Sequence, residues 1–267
     1  MMCRVYLVSR AGYYAWQRRR PSARAGERAA LLTAIERVHA ASREAYGSPR
    51  VTRALRQAGY RVGENRVAQL MRERQLKARA AKLYRANPAN HAFFSSIPNR
   101  QLTTLATQPD QVWVGDITYL KVGERWRYLA VVMDKCSRRI IGWSLGANRY
   151  ADLTLRALDR AVTNRRPGVG LIFHSDRGIE YAAHAFRQRL AQLGFIQSMN
   201  RPQRMNDNAH MESFFHSFKT ETIHGNRFAE DRDVLAALRS YLPFYNRVRL
   251  HSSLNYVSPA AYEQQLQ

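Results

Sequence analysis

The sequence predicts two structural parts: a small, strongly basic all-helical region, then an α/β domain with a mixed sheet and helices on its faces. Three features carry the prediction. Apolar residues recur at helical spacing up to Leu76, chain with little periodicity but punctuated by Pro and Ser fills 77–110, and strand-like apolar runs follow. The element order of the second part, three strands and then alternating helices and strands, is that of a mixed sheet covered by helices.

Residues 1–24 show little pattern beyond an aromatic cluster, Tyr13, Tyr14 and Trp16, leading into Arg18, Arg19, Arg20 and Pro21. From Glu27 to Tyr46, the spacing of Leu31, Leu32, Ile35 and Val38 predicts a helix; Gly47 ends it and Ser48 is placed to cap the next. Val51, Leu55 and Ala58 mark the inner face of a short helix, Gly59 to Gly63 a tight turn, and Val67, Leu70 and Met71 the inner face of a second helix. Arg50, Arg53, Arg56, Arg66, Arg72 and Arg74 are left for the outer surface. This is the outline of a helix-turn-helix whose second helix would enter a major groove, although any two basic amphipathic helices would match it.

A basic run, Lys77, Arg79, Lys82 and Arg85, leads into the linker, with a domain boundary expected near residue 105. Strands are then predicted at 111–121, 126–134 and 139–145, joined by turns at Gly123–Glu124 and Lys135–Arg138 as an antiparallel meander. A helix at 151–164, a strand at 170–175, a helix at 180–193 and a strand at 195–199 follow. The next helix begins near Asp207 or Asn208, either of which can cap it, and buries Met211, Phe215 and Phe218 at i, i+4 and i+7.

Charge narrows the choice of partner. Lys and Arg total 43 against 20 Asp and Glu, a formal net charge of +23. The first 100 residues hold 21 basic and 5 acidic side chains and the remainder 22 and 15, so the first third is the expected electrostatic anchor for an acidic polymer, most simply nucleic acid. Arginine's fork suits bidentate phosphate and base-edge contacts; a GC-rich genome would also favour Arg over Lys, but would not produce the excess of positive charge. Two cysteines, Cys3 and Cys136, exclude a disulfide framework and a cysteine-rich zinc module. No run approaches the roughly 18 apolar residues of a membrane span, and the N-terminus lacks a signal-peptide core. A reducing, cytoplasmic setting among nucleic acid is therefore expected, with no membrane partner.

Asp116, Asp176 and Glu212 are the candidate reactive groups. Asp116 interrupts the apolar run Val112 to Leu120, Asp176 closes the run Leu171 to Ser175 just before Arg177 and Gly178, and Glu212 lies early in its helix. A carboxylate among Val, Trp, Ile and Leu is costly to bury unless something pairs with it, and three carboxylates brought together make a hard-cation site suited to Mg2+ or Mn2+ rather than zinc. The plain alternative is that each is a solvated or capping acid. Glu124, Asp134, Asp152, Asp159 and Glu221 are read that way, as structural groups in turns or on exposed helix faces. Glu212, His216 and Lys219 share a helix face; Lys219 is placed to meet a DNA phosphate or to be a solvated lysine, and His216 is read as structural.

The segments VWVGDITYL (112–120), HSDRG (174–178), DNAHMESFFHSFKTE (207–221) and YNRVRLHSSLNYVSPAAYE (245–263) resemble the catalytic OrfB portion of IS-three-type insertion-sequence transposases, and YGSPRVTRALRQAGYRV (46–62) resembles that family's helix-turn-helix-like segment. The 35 residues between Asp176 and Glu212 agree with the family's Asp-Asp-Glu signature. The resemblance implies an RNase H-like mixed five-stranded sheet flanked by helices in a retroviral-integrase-like core at 106–225. It also implies a basic helix-turn-helix-like region at 1–85, a linker at 86–105 and a helical extension at 226–267. Asp116, Asp176 and Glu212 would be catalytic metal ligands for two Mg2+ ions, with Mn2+ as a substitute. Lys219, Arg50, Arg53, Arg66 and Arg177 would contact DNA. The implied activity is cleavage at element ends and strand transfer by the freed 3′-hydroxyl, performed in the nucleoid on terminal inverted repeats and target duplex by a homo-oligomer. The family also supplies a possible companion from an upstream reading frame, bearing a helix-turn-helix and leucine zipper. Two rivals use the same features: an RNase H-type nuclease without strand transfer, and a catalytically silent DNA-binding regulator.

Overall fold

A computed structural model describes residues 9–18, 22–78, 97–201 and 205–266. Cys3, the basic positions Arg79, Lys82 and Arg85, and most of the expected linker lie outside the described residues. The chain divides into two compact units, Met1–Ala78 and Arg79–Gln267.

The first unit is helical: α1 (Arg10–Gln17), α2 (Ala23–Ala41), α3 (Ser48–Gln57) and α4 (Glu64–Glu73). α1 was not legible from spacing; Ser9 caps it by accepting from the Gly12 N–H, and it carries Tyr13, Tyr14 and Trp16 exposed to solvent. α2 stops at Ala41 rather than at Gly47, because the chain turns through positive φ at Arg43 and Glu44. Gly47, not Ser48, occupies the N-cap of α3, and Ser48 is the first helical residue, followed by Pro49 in the first turn, where proline's missing N–H does no harm. Leu31, Leu32, Ile35, Val51, Leu55, Val67, Leu70 and Met71 are buried as expected. Ala58 is not; it is the exposed C-cap of α3, just past the last helical residue.

The second unit holds β1 (Val112–Val122), β2 (Arg125–Asp134), β3 (Ile140–Gly146), α5 (Ala151–Arg165), β4 (Ile172–Ser175), α6 (Ile179–Ala182), α7 (His184–Gln192), β5 (Ile196–Met199), α8 (Ala209–Phe218), α9 (Asp231–Arg247) and α10 (Pro259–Gln265). Between α8 and α9, Lys219–Ile223 winds as a π-helical extension of α8. The single helix expected at 180–193 is two, because Ala183 adopts an extended ψ of 141°.

One sheet of five strands runs β3-β2-β1-β4-β5. β1 is central, antiparallel to β2 and parallel to β4, and β4 is parallel to β5. Side chains alternate across a strand, so β1 serves two cores. Val114, Leu120 and Val122 join Leu129, Val131 and Met133 of β2 under Met211, Phe214, Phe215 and Phe218 of α8 and Leu238 and Tyr241 of α9. Trp113 joins Ala130, Val132 and Phe173 under Leu153 and Leu158 of α5 and Phe186 and Leu190 of α7. Each large side chain so removed from water contributes about 1.5–3 kcal/mol. The result is the helix-flanked, mixed five-stranded architecture expected from the sequence.

Candidate active site

Asp116 falls in the even-numbered series of β1, between Val114 and Leu120, and so stands on the sheet face that α8 covers. Asp176 follows directly on β4, whose Ser175 pairs with Gly115 of β1. Parallel pairing of β1 and β4 thereby brings two carboxylates distant in sequence to one place. Both keep part of their surface in solvent. Burial still raises the Asp116 carboxyl well above its ordinary value, Asp176 adds repulsion, Glu212 adds a smaller push, and only the Ile117 N–H and the Arg149 charge oppose them. Burial likewise raises Asp176, against the N–H of Gly178 and the charge of Arg149. The Ile117 N–H donates to Asp116 Oδ1 at 2.7 Å and the Gly178 N–H to Asp176 Oδ1 at 2.9 Å.

Two glycines leave room here that no other residue would. A Cβ on Gly115 would lie 2.7 Å from Cζ of Phe173 and 3.3 Å from the Tyr181 hydroxyl. A Cβ on Gly178 would lie 2.9 Å from Asp176 Oδ1 and 3.3 Å from Arg149 Nη2, filling the space between acid and guanidinium.

Glu212 occupies the first turn of α8, exposed, on a helix held down by Met211, Phe214, Phe215 and Phe218. Asn208 stands at the N-cap but does not cap; its Nδ2 donates to the Gly115 carbonyl at 3.1 Å, pinning the start of α8 beside Asp116. Its Oδ1 is buried without a hydrogen-bond partner among the described residues. Asp207 does not cap either: its carboxylate takes the Arg201 guanidinium at 2.9 Å and Asn99 Nδ2 at 2.8 Å. Among the described residues no group of three His, Cys, Asp or Glu side chains is arranged to hold a metal ion as it stands. The fold thus brings Asp116 and Asp176 together and Glu212 only within electrostatic range. The donor chemistry, two hard carboxylates raised by mutual repulsion, fits a hard divalent cation, whose charge would relieve the repulsion that raises Asp116.

Spacing alone missed two residues of the site. Arg149, exposed just before α5, ion-pairs with buried Glu180; burial works against its charge, but Glu180, Asp176 and Asp116 outweigh that and raise it. Tyr181 is fully buried against the pair, its hydroxyl raised well above the phenol range by burial and then by Asp116 and Asp176. Neither sits in a motif that names its role, because each acts through partners remote in sequence. Lys219 is half-buried with Nζ 4.6 Å from the Tyr119 ring centroid, lowered by burial while Asp116 pulls the other way. Arg177 donates from Nε to the Asn200 carbonyl at 2.6 Å and from Nη2 to Ile97 at 3.4 Å, which makes it a brace of the wall behind Asp176. In the helical unit Arg53 and Arg66 are exposed, while Arg50 lies 5.9 Å from the Tyr46 ring centroid.

Two acids read as exposed are buried. Asp134 has no exposed surface and accepts from the Ser137 and Asp110 N–H groups. Glu221 is 5% exposed, bound by Arg249 and by the Tyr241 hydroxyl at 2.9 Å. Both remain structural, as expected, but through hydrogen bonds made across the fold.

Comparison with known proteins places the chain in a family. Residues 106–205 match the integrase core domain, residues 193–259 match a second integrase core domain family, and residues 27–84 match an HTH-like domain. Over 98% of its length the chain is 36% identical to 92% of the transposase InsF for insertion sequence IS3A of Escherichia coli K12. The chain belongs to the IS3 family of insertion-sequence transposases. Another member, the insertion element IS600 uncharacterized 31 kDa protein of Shigella sonnei, is 38% identical across 98% of this chain and 97% of its own. Among solved structures, similarity is found to the HTLV-2 integrase catalytic core domain in complex with magnesium, with a TM-score of 0.45 and 13% identity over 58% of this chain and 97% of that one. Similarity is also found to the simian T-cell lymphotropic virus intasome in complex with a PP2A regulatory subunit, with a TM-score of 0.49 and 14% identity over 86% and 74%. No helix among the described residues of this IS3-family chain is long and apolar enough to cross a membrane.

Proposed function

We propose that this chain cleaves phosphodiester bonds at the ends of its insertion sequence and joins the freed 3′-hydroxyl ends to a target duplex, using Asp116, Asp176 and Glu212. The observation that carries the reading is the meeting of Asp116 and Asp176 across paired parallel strands, on the face that α8 covers with Glu212. These three would hold two Mg2+ ions, or Mn2+ in their place. When bound, such ions supply Lewis acidity to the attacking and leaving oxygens. The chain's own groups do the rest: Arg149 balances the acids, Lys219 is placed for a phosphate, and Gly178 lets Asp176 and Arg149 approach without a side chain between them. Water serves as the first nucleophile and the 3′-hydroxyl as the second, so no protein side chain becomes covalently attached to DNA.

The helical unit is the proposed DNA anchor, with Arg53 and Arg66 exposed for phosphate or base-edge contact and Arg50 beside them. Double-stranded terminal repeats and target are its partners, and joining two ends at one target calls for a homo-oligomer on DNA. A companion protein from an upstream reading frame belongs to the same proposal.

The test uses a duplex carrying the terminal repeat read from DNA flanking the gene, with Mg2+ and a target duplex. Asp116→Asn, Asp176→Asn and Glu212→Gln should each lower end cleavage on the order of 10³-fold or more while DNA binding persists. A variant that cuts at near wild-type rate removes its residue from the set. Cleavage without joined product would make the protein a nuclease.

A further inference from the structure

β4 ends at Ser175, opposite Gly115, whereas β1 runs on to Val122. From Asp116 to Val122 the strand has β2 on one side and, among the described residues, no strand on the other. On this stretch Tyr119 of β1 pairs with Tyr128 of β2, and Trp126 lies two residues from Tyr128, diagonally across from Tyr119 on the same sheet face. The Tyr119 and Trp126 rings meet edge to face, centroids 5.2 Å apart at 81°, and the side chains remain 59% and 50% exposed. Two large rings beside an open strand edge are a poor surface to leave in water unless something covers them.

The surroundings say what would. Lys121, across from Trp126 on the same face, pairs with Glu124 at 3.3 Å, Arg125 is exposed at the start of β2 on the other face, and Lys219 holds its ammonium 4.6 Å from the Tyr119 ring centroid. Tyr119 belongs to the odd-numbered series of β1, on the face away from Asp116, and Lys219, following α8 on the Asp116 side, still brings its ammonium to the Tyr119 ring, so a single side chain links the aromatic pair to the acidic site. Positive charge at the rim would repel a second copy of this basic chain and attract a polyanion. Aromatic faces ringed by Arg and Lys are the surface on which nucleobases stack.

We infer that Trp126, braced edge to face by Tyr119, offers its indole face as a stacking platform for an unpaired nucleobase of the DNA next to the phosphate being cut, with Lys219, over the Tyr119 ring, between platform and phosphate. The inference rests on the transposase reading and adds to it a way of opening the duplex at the site. A base that leaves the helix loses its stacking neighbours, and the exposed rings replace them. The platform accepts any base, because every base has a π-face, so it sets the position of the DNA end and leaves sequence choice to other contacts.

The full-length chain, without divalent metal, is titrated with three terminal-repeat duplexes: one fully paired, one with mispaired bases on the element side of the cleavage position, one with mispaired bases on the flanking side. Wild type should bind one mispaired duplex about tenfold more tightly than the paired one, and which of the two identifies the stacked base. Trp126→Ala should lose that preference and keep its affinity for paired DNA, while Trp126→Phe restores most of it; Tyr119→Ala should behave like Trp126→Ala. If wild type shows no preference, or Trp126→Ala retains it, or Trp126→Ala weakens all three duplexes equally, the platform is overturned. If no duplex of any kind binds, the transposase reading falls with it.

Discussion

At the scale of single residues, the site is organised around uncompensated negative charge. Asp116 is raised first by burial, then by Asp176, and Arg149 offsets only part of this. A folded-state value above the unfolded one, about 3.9, means that between the two values the native state binds more protons than the unfolded chain. Stability therefore falls as pH rises through that window and stays at its lower level above it. Asp116→Asn keeps the acceptor for the Ile117 N–H and removes the charge, so it should be more stable than wild type at pH 7. A domain of this size gains about 2–4 °C in Tm per kcal/mol. The advantage should shrink on acidification toward the unfolded carboxyl value. Thermal unfolding of both proteins at pH 7 and near pH 4 measures it, and an Asp116→Asn protein less stable than wild type at pH 7 would contradict the electrostatic reading.

At the scale of elements, α8 is fixed from both ends. Asn208 ties its start to Gly115, and its π-helical extension carries Glu221, which receives Nε and Nη2 of Arg249 while Arg249 also reaches Ser217 at 3.1 Å. Glu221 and Arg249 are each 3% exposed in their side chains, so this pair is fully desolvated. Removing one partner strands the other, at a cost of about 3–5 kcal/mol. Arg249→Met should therefore lower stability by that order in chemical denaturation, and Arg249→Met combined with Glu221→Gln should recover part of the loss. A single variant within about 0.5 kcal/mol of wild type would show that α8 does not depend on this anchor. None of this was legible in the chain, since Glu221 looks like any acid at a helix end until Arg249, from the other side of α9, folds onto it. The strands were legible to within a residue or two because runs of Val, Ile, Leu and Trp lie between turn residues, and the buried face of α8 was legible because Met211, Phe215 and Phe218 repeat with the helix. Caps were not: Ser48, Asp207 and Asn208 all have capping chemistry, but tertiary partners claim the two acid and amide side chains and backbone geometry assigns Gly47 the cap. Of the candidate site, the two aspartates could be placed by strand logic, whereas Arg149 and Tyr181 depend on Glu180 and on the packing of α6, which no local pattern encodes.

At the scale of the whole molecule, a net charge of +23 in 267 residues makes counterion release the dominant driving force for holding DNA. The first 100 residues hold 21 of the 43 basic side chains but only 5 of the 20 acids, so the helical unit should account for much of the salt sensitivity. Arg53 on α3 and Arg66 on α4 are exposed and make no ion pair among the described residues, unlike Arg28 and Arg74, which pair with Glu73 and Glu36. If both meet phosphates, each contributes about 0.9 to the slope of log affinity against log salt. Arg53→Ala with Arg66→Ala should then flatten that slope by about 2 and weaken binding to all duplex sequences alike. Base-edge contacts would behave differently, costing about 1–3 kcal/mol on the terminal repeat alone and leaving unrelated duplex unaffected. Titrations of terminal-repeat and unrelated duplex across a salt series separate the two. An unchanged slope together with unchanged affinity for both duplexes would mean that these arginines do not face DNA, and the anchoring role would pass to other basic side chains of the same unit.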